Sequence, residues 1–255
     1  MHLPSEKTLI PAAAVAALLV VWQLACSLGL VPTFLLPSPV AVVQALVKDL
    51  PLIVQHSATT LVEAAVGLAL GVIIGFAIAV AMDRFEVVYL ALEPLMTISQ
   101  TIPTIAIAPL LVLWFGYGLA PKVILIVLTT FFPVTVSLVS GFRSVDPDVL
   151  DLMRTMRASR WQVFWYAKLP AAADQFFSGL KISATYAIVG AVIAEWLGGF
   201  SGLGVYMTRV RKSFSYDRMF ASIIVISALS LGLMRLVDLI EYLALPWKRA
   251  ERKNQ

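Results

Sequence analysis

Long runs of apolar residues are the feature that most constrains what this chain of 255 residues can fold into. A helix needs about 20 consecutive apolar residues to cross the hydrocarbon core of a bilayer, and several runs in the sequence reach or exceed that length. Hydrophobic residues make up 60% of the chain and charged residues only 13%, against roughly 45–50% and about 25% in soluble domains. The sequence therefore excludes a soluble globule and predicts an all-α membrane protein.

The apolar runs predict about six membrane-spanning helices in one transmembrane domain that comprises residues 1–255. The runs cover residues 9–30, 59–82, 87–115, 121–142, 171–197 and 218–245. Polar residues and a proline interrupt the weaker apolar stretch at 40–54, which predicts a short helix in the membrane interface and not a span.

Two of the predicted spans carry small or helix-breaking residues. The third span contains Pro94, Pro103 and Pro109, and because proline removes a backbone donor and clashes with the preceding turn, we expect this span to be kinked or broken. The second span has small residues at intervals of four, which favour close approach of another helix in lipid. These small residues are Gly67, Gly71, Gly75 and Ala79.

The basic residues indicate orientation and not nucleic-acid binding. The net charge is +4, but the Lys and Arg residues lie beside the apolar runs and form no continuous basic stripe. With the amino terminus inside, eleven positive residues lie inside and six outside, which predicts that both termini are cytoplasmic. The inside group is Lys7, Arg84, Arg143, Arg154, Arg157, Arg160, Lys168, Lys248, Arg249, Arg252 and Lys253, and the outside group is Lys48, Lys122, Arg209, Arg211, Lys212 and Arg218.

The longest charged interval, residues 143–169, lies between the fourth and fifth predicted spans. It predicts two short amphipathic helices that separate near Ala158 and Ser159, with Ser159 as a helix cap. Apolar side chains such as Trp161 and Phe164 stand among its cations. Such a segment is typical of a surface that docks into another protein, and a hairpin lying on anionic lipid is the alternative.

This interval resembles the cytoplasmic loop, known as the EAA motif, of the membrane subunits of binding-protein-dependent ABC importers. The usual pattern has Glu-Ala-Ala, a Gly four residues after the second Ala, and a hydrophobic-Leu-Pro ending. Here Asp151, Leu152 and Met153 stand at the Glu-Ala-Ala positions. Arg157 stands at the glycine position, and Leu169-Pro170 closes the motif. Arg157 lacks the freedom of glycine at positive φ, so the geometry of the turn stays open at this point.

The resemblance implies that the loop at about residues 143–170 couples the chain to an ATPase. The residues it implies for coupling are Asp151, Met153, Met156, Arg157, Ala158, Ser159, Arg160, Trp161, Leu169 and Pro170. It also implies a type I ABC importer permease fold with a cytoplasmic coupling helix, in the inner membrane of a bacterial cell.

The resemblance covers nearly the whole chain. Residues 36–39, 103–109, 114–118, 131–133 and 195–199 are similar to the branch that imports nitrate, taurine, alkanesulfonates and thiamin-precursor pyrimidines. Residues 190–208 are most similar to permeases for hydroxymethylpyrimidine or related thiamin precursors. The implied partners are a second copy of the chain, two ATPase subunits that bind ATP and Mg, an extracytoplasmic binding protein and the lipid bilayer, with no nucleic acid.

The residues themselves agree that energy must come from another subunit. No Lys follows a Gly in the sequence, so the chain lacks the GK of a P-loop. We therefore expect a non-catalytic subunit without a cofactor of its own. The only histidines are His2 and His56, the only cysteine is Cys26, and no metal site or intrachain disulfide is expected.

Several polar residues at membrane depth are candidates for the substrate path. They are Ser99, Gln100 and Thr101 beside Pro103, together with Thr129, Thr130 and Tyr186. Such groups can bind a small heterocycle or anion, and they can equally satisfy a kinked helix. Glu195 and Trp196, before a Gly-rich turn, are candidates for an outer gate or for contact with the binding protein.

A secondary transporter driven by an ion gradient is the alternative from a different class. Such carriers usually show internal repeats and paired broken helices. The sequence shows one clearly interrupted span and no convincing repeat, which favours the ATP-driven importer.

Overall fold

The computed structural model describes residues 6–32 and 35–246, and the charged tail at 247–253 lies outside this range. This part of the chain is helical. The helices are α1 (Glu6–Ser27), α2 (Pro39–Lys48), α3 (Leu50–Arg84), α4 (Glu86–Ser99), α5 (Thr104–Phe115), α6 (Leu119–Arg143), α7 (Pro147–Thr155), α8 (Arg160–Val163), a π-helical turn (Phe164–Lys168), α9 (Leu169–Gly198), α10 (Leu203–Lys212) and α11 (Tyr216–Ala244).

The spans agree with the expected number. Five helices in the described residues are long and apolar enough to cross a membrane, and a sixth crossing follows if α4 and α5 count as one span bent by 99°. The break in that pair lies just before Pro103, because proline disfavours helical geometry in the residue that precedes it. Pro94 and Pro109 lie inside α4 and α5. The prediction of a broken third span is therefore confirmed, and only one of its three prolines stands at the break.

The prediction for residues 40–54 is wrong in its boundaries. A ten-residue helix, α2, begins after Ser38, whose side chain accepts a hydrogen bond from the Ala41 N–H and so caps it. The chain turns at Asp49, and α3 then starts at Leu50, nine residues before the predicted start of the second span at 59. Pro51 is compatible with this start, because the first turn of a helix does not need its missing N–H.

The small residues of α3 form the contact with α6, as the sequence predicted. Gly67, Gly71 and Gly75 are buried. A Cβ on Gly71 would collide with the Thr130 hydroxyl, and one on Gly75 would lie 2.7 Å from the Phe131 carbonyl oxygen. Larger side chains would therefore separate the two helices. Helix α9 also packs closely on α6, since a Cβ on Gly179 would lie 2.6 Å from the Pro133 carbonyl oxygen.

The helices α3, α6 and α9 form the centre of the bundle and span between two distinct ends. Lys122 at the start of α6 pairs with Glu63 of α3 at 2.5 Å, and Lys168 before α9 pairs with Asp83 at the end of α3 at 2.6 Å. Helices α3 and α6 therefore run in one direction and α9 runs back. We call the end that holds Glu195 the network end and the end that holds residues 143–170 the segment end.

The first residues of α1 and the last residues of α11 both lie at the segment end. Trp22, late in α1, contacts the ring of Phe220, early in α11, with the ring centroids 5.8 Å apart. Arg218, beside Phe220, pairs with Asp49 next to the start of α3 at 3.3 Å. Both contacts lie at the network end. The start of α1 and the end of α11 therefore lie at the segment end.

Candidate functional site

The polar segment between α6 and α9 makes a turn that normally favours glycine. Asp146 caps α7 by accepting a hydrogen bond from the Asp148 N–H at 2.9 Å. At the other end of α7, the Ala158 N–H donates to the Met153 carbonyl oxygen. Between them Arg157 has a φ of 58°, which is the left-handed conformation that glycine adopts without strain. The chain thus makes the glycine-type turn of the motif with arginine in that position.

Ser159 caps the next helix, as the sequence predicted. The Gln162 N–H donates to the Ser159 hydroxyl, and the Ser159 N–H donates to the Gln162 side chain at 2.7 Å. This reciprocal pair is a capping box. The spacing of Ser159 and Gln162 in the sequence is the signal for the second half of this box.

The predicted end of the loop at Leu169-Pro170 does not coincide with a break in the helix. Helix α8 continues through the π-helical turn into α9, so residues 160–198 form one continuous helical stretch. The Leu169 N–H bonds to the Phe164 carbonyl oxygen five residues earlier, directly before Pro170, which has no N–H to donate. The second of the two expected short helices is therefore continuous with the helix of the fifth span.

Large apolar side chains of the segment lack cover from the rest of the described chain. Met156 is 73% exposed, Trp161 70% and Tyr166 77%. Phe164 instead turns inward and packs on Phe142 of α6, with ring centroids 5.5 Å apart. A cluster of exposed apolar groups among cations marks an interaction surface. The segment consequently has one anchored face and one open face.

The anchored face is tied to the junction between α3 and α4. The Lys168–Asp83 pair is mostly buried, with side-chain exposures of 23% and 15%. The guanidinium of Arg143 lies 3.5 Å from the centre of the Tyr89 ring, a cation–π contact. Asp83 and Tyr89 had no signal in the sequence as partners of the segment, because they stand far from it in the chain and carry no local pattern.

The remaining residues assigned to coupling surround this turn. Asp151 pairs with Arg154 at 2.8 Å on the surface of α7. Met153 and Ala158 are half-buried, and Arg160 is exposed at the start of α8. The structure therefore brings the predicted coupling residues together on one short segment, apart from Leu169 and Pro170 in α9.

The six residues proposed for the substrate path do not converge in the single chain. Ser99 and Thr101 are exposed at the bend, and their hydroxyls donate to helix carbonyls nearby. Gln100 is also exposed there. Thr130 of α6 is buried with its side chain against Gly71 of α3, and its carbonyl oxygen accepts a hydrogen bond from Ser183 of α9.

Thr129 and Tyr186 occupy the faces of α6 and α9 that are not fully covered. The Thr129 hydroxyl donates to the Ile126 carbonyl oxygen at 2.8 Å, and Tyr186 is 49% exposed. A cavity of about 380 Å³ between α1, α2 and the start of α11 is lined by other residues. The assignment of these six residues to a substrate path stays a prediction.

Glu195 lies at the centre of a buried hydrogen-bond network. Its carboxylate accepts from the Thr60 hydroxyl at 2.7 Å and from the Gly204 N–H at 2.6 Å. Thr60 also accepts from the Leu203 N–H, and the ring of His56 accepts from the Gly202 N–H at 3.0 Å. The network therefore fixes the turn before α10 against α3.

Gly202 is required at this turn for two reasons. Its φ is 118°, and a Cβ on it would collide with the Glu195 carboxyl group. Glu195 itself is 1% exposed, whereas the adjacent Trp196 is 40% exposed. A role for this pair at an outer gate or in contact with a binding protein stays a prediction. Thr60, which bonds to Glu195, and His56, which bonds to Gly202, had no signal in the sequence.

Tyr206 extends the network through α10. Its hydroxyl donates to Asp49 at 2.8 Å, and Arg218 pairs with the same carboxylate. Burial, together with the hydrogen bond to Asp49, raises the pKa of Tyr206 above its ordinary value. Because the phenol stays protonated, it remains a donor and holds α10 on the chain between α2 and α3.

Comparison with known proteins places this architecture in a family. The family model for "binding-protein-dependent transport system inner membrane component" matches residues 67–243. A probable ABC transporter permease protein of Haemophilus influenzae is 40% identical over 232 residues, covering 91% of this chain and 95% of the relative. The formylaminopyrimidine transport permease protein ThiX of Halalkalibacterium halodurans is 36% identical over 249 residues, covering 97% of this chain and 99% of that protein.

The fold agrees with the match. A chain of the MetNI methionine ABC transporter, solved in inward-facing conformations, superimposes with a TM-score of 0.66 at 17% identity, covering 76% of this chain and 96% of that one. That likeness concerns the type I importer permease fold alone. With the family model matching most of the chain and with relatives above 30% identity over nearly their whole length, the chain belongs to the family of inner-membrane permease components of binding-protein-dependent ABC importers.

Proposed function

We propose that this chain is the non-catalytic membrane subunit of an ATP-driven importer. It would work as a homodimer with two ATPase subunits and an extracytoplasmic binding protein, and the ATPase subunits would hold ATP and Mg. The observation that carries the proposal is the open face of the polar segment at 143–170. That face presents Met156 and Trp161 to a partner, while its other face is anchored to the spans.

The continuous helix at 160–198 explains how motion of an ATPase would reach the membrane. A push on Trp161 acts on α8, and α8 continues without a break of the helical chain into α9. The Lys168–Asp83 pair passes part of that push to α3. Helix α9 extends to Glu195 at the network end, so movement at one end is carried along a rigid element to the other.

The import cycle follows the family resemblance. ATP-driven closure of the ATPases would push the coupling segments and open the cavity between the two permease copies outward, and hydrolysis with release would return it inward. We place the segment and both termini in the cytoplasm of a bacterial cell. The support is the excess of positive residues on that side and the position of the ends of α1 and α11 at the segment end.

We further propose that the solute is a thiamin-precursor pyrimidine. The support is similarity over nearly the whole chain to a permease named for formylaminopyrimidine transport. Ser99, Gln100 and Thr101 are exposed at the bend before α5, where a second copy can complete a path with Thr129, Thr130 and Tyr186. Polar groups beside freed carbonyls suit a small heterocycle.

The substrate proposal is tested with the cognate binding protein and the assembled transporter. Thermal stabilisation of the binding protein is measured with formylaminopyrimidine, hydroxymethylpyrimidine, taurine, an alkanesulfonate and nitrate. We expect the pyrimidines to stabilise it and to be taken up by proteoliposomes that contain the full complex and ATP. Stabilisation by a sulfonate or by nitrate alone would reassign the substrate without affecting the importer proposal.

The coupling proposal is tested with two variants of the open face. Trp161→Ala removes the exposed anchor, and Ser159→Glu puts a bulky charge at the cap of α8. We expect uptake to fall at least tenfold, since a buried aromatic anchor contributes about 2 kcal/mol or more at an interface. Membrane insertion should be unchanged, because both side chains are exposed in the single chain.

Trp114→Ala is the matched control, since Trp114 is similarly exposed at 66% but lies in α5. Co-purification of the ATPase with each variant separates the two interpretations of the segment. If the segment is a hairpin that only lies on lipid, Trp161→Ala weakens binding to anionic vesicles and leaves ATPase co-purification at the wild-type level. That result would contradict the coupling proposal.

A further inference from the structure

The charges buried at the network end do not balance. Three charged side chains from three helices meet there, Glu63 of α3, Lys122 of α6 and Glu195 of α9, and they are 4%, 5% and 1% exposed. Two carboxyl groups therefore share one ammonium group. If both carboxyls were ionised, the cluster would carry a net negative charge in a region that water does not reach, which is costly in a membrane protein.

The hydrogen bonds of the cluster show where the imbalance lies. Lys122 donates to Oε1 of Glu63 at 2.5 Å, and both oxygens of Glu195 accept hydrogen bonds from Thr60 and Gly204. The other oxygen of Glu63, Oε2, is buried and has no hydrogen-bond partner within the described residues. Nearly all buried polar atoms have a hydrogen-bond partner. Glu63 Oε2 therefore needs a partner that the ionised side chains around it do not provide.

Glu195 is the group that faces Glu63. Thr60, which touches Glu195, and Glu63 are three residues apart and so lie on the same face of α3. The Glu63 and Glu195 carboxyl groups interact with each other, and Lys122 acts on both. Two ionised carboxyl groups that face each other repel, whereas one shared proton converts the repulsion into a hydrogen bond.

The other titratable groups near the cluster do not add a second positive charge to balance the two carboxylates. His56 of α3 accepts a hydrogen bond on Nδ1 from Gly202, so its ring is neutral. Arg209 of α10 is exposed and donates to the Phe200 carbonyl oxygen, and Tyr206 donates to Asp49. None of these three groups provides a second positive charge inside the cluster.

We infer that one proton is held between the carboxyl groups of Glu63 and Glu195 at neutral pH, which makes the Glu63–Lys122–Glu195 cluster electrically neutral. The proton satisfies Glu63 Oε2 and allows Glu195 to keep its bonds to Thr60 and Gly204. The site is thus a buried proton-binding site that connects α3, α6 and α9. It does not depend on which solute the protein transports.

A second cluster of the same composition provides a matched control. Lys181 of α9 pairs with Asp238 at 2.7 Å and with Glu241 at 2.6 Å, again two acids and one Lys. There the ammonium contacts both carboxylates directly, and the Lys181 and Asp238 side chains are 30% and 38% exposed. Solvent and two direct contacts can sustain two ionised acids, so no shared proton is expected in this cluster.

Infrared spectroscopy of the full chain, purified in detergent at neutral pH, tests the inference directly. We expect a carbonyl band of a protonated carboxylic acid in the wild type. Glu195→Gln should remove it, because Glu63 then pairs with Lys122 as an ionised carboxylate, and Glu63→Gln should remove it for the corresponding reason. Glu241→Gln in the control cluster should leave the band at full intensity.

Thermal unfolding as a function of pH provides a second measurement that needs only the wild type and one variant. The folded state binds a proton that the unfolded chain releases at neutral pH, so the melting temperature should fall as the pH rises from about 6 to about 9. In Glu195→Gln the melting temperature should fall less as the pH rises, because the folded state no longer binds one proton more than the unfolded chain.

Either measurement can overturn the inference. Absence of the acid band from the wild type, or its persistence in both Gln variants, would show that no proton is held between these two residues. A melting temperature that responds to sodium concentration but not to pH would assign the site to a metal cation instead. If a Gln variant does not fold, the spectrum and the pH profile of the wild type still decide the question.

Discussion

The two ends of the bundle handle their charged and polar side chains in opposite ways. At the network end, Glu195 and Thr60 are fully buried, and their hydrogen-bond partners come from other helices of the same chain. At the segment end, Met156 and Trp161 are more than two-thirds exposed, and only one face of the segment is anchored. The hydrogen bonds of Glu195 and Thr60 at the network end are made within one chain, whereas the open face of the segment is left for another molecule to cover.

This difference predicts which property of the protein substitutions at each end should change. Changes at the network end should act on the stability of the single chain, because they leave buried groups without partners. Changes on the open face of the segment should act on assembly and transport, because the exposed side chains contribute little to folding.

Replacing Lys122 with Met should have the largest effect. It leaves two buried acids without their cation, and breaking a buried ion pair in this way costs about 3–5 kcal/mol. We expect a large loss of thermal stability and of yield in the membrane. Lys48→Met, at an exposed position of α2, is the control and should change stability by less than about 0.5 kcal/mol. Equal stabilities of the two variants would show that the buried pair of Lys122 and Glu63 does not stabilise the chain.

Thr60→Val should destabilise the chain by about 1–3 kcal/mol. The substitution keeps the shape of the side chain, but the Leu203 N–H loses its acceptor and Glu195 loses a donor. The control is Thr59→Val, the adjacent and less buried position on α3. Thermal unfolding in detergent compares the two. A loss in Thr59→Val as large as that in Thr60→Val would contradict the role of the network.

Exchange of Asp83 and Lys168 tests the anchored face of the segment. Asp83→Lys alone should cost about 1.5 kcal/mol or more, because it removes a largely buried charged hydrogen bond and places two cations together. The double variant Asp83→Lys with Lys168→Asp should recover much of that stability. Uptake by the assembled transporter is measured in parallel. If the double variant is no better than the single ones, the pair does not link α9 to α3.

Arg157→Gly should have the smallest effect and the opposite sign. The left-handed conformation costs arginine about 1–2 kcal/mol that glycine does not lose. The greater conformational entropy of glycine in the unfolded chain offsets about half of that gain. We expect a gain of roughly 0.5–1 kcal/mol in thermal stability. Arg154→Gly makes the same change of charge inside α7 and should instead lose about 1 kcal/mol. Destabilisation by both variants would show that the Arg157 side chain has a compensating role.

Much of the fold was predictable because it depends on local patterns. The apolar runs, the small residues of α3 and the cap at Ser159 all follow from short-range rules and appear where the sequence placed them. The start of α3 and the continuation of α8 into α9 were not predicted. Pro51 lies in the first turn of α3, where its missing N–H is not needed, and a π-helical turn directly before Pro170 lets the helix continue through that proline.

The sequence by itself determined that this chain is a helical membrane protein with about six spans and a polar segment resembling the coupling loop of ABC importers. Hydropathy and motif spacing are properties of residues close together in the chain, so the sequence alone reveals them. Only the tertiary structure decided which charges meet. Lys122 and Glu63 are 59 residues apart, Lys168 and Asp83 are 85 apart, and Thr60 and Glu195 are 135 apart. A carboxyl group in a membrane can pair with a cation, share a proton with another carboxyl group or be exposed. Which of these occurs depends on helices that pack together across such separations, because packing sets both its partners and its access to water.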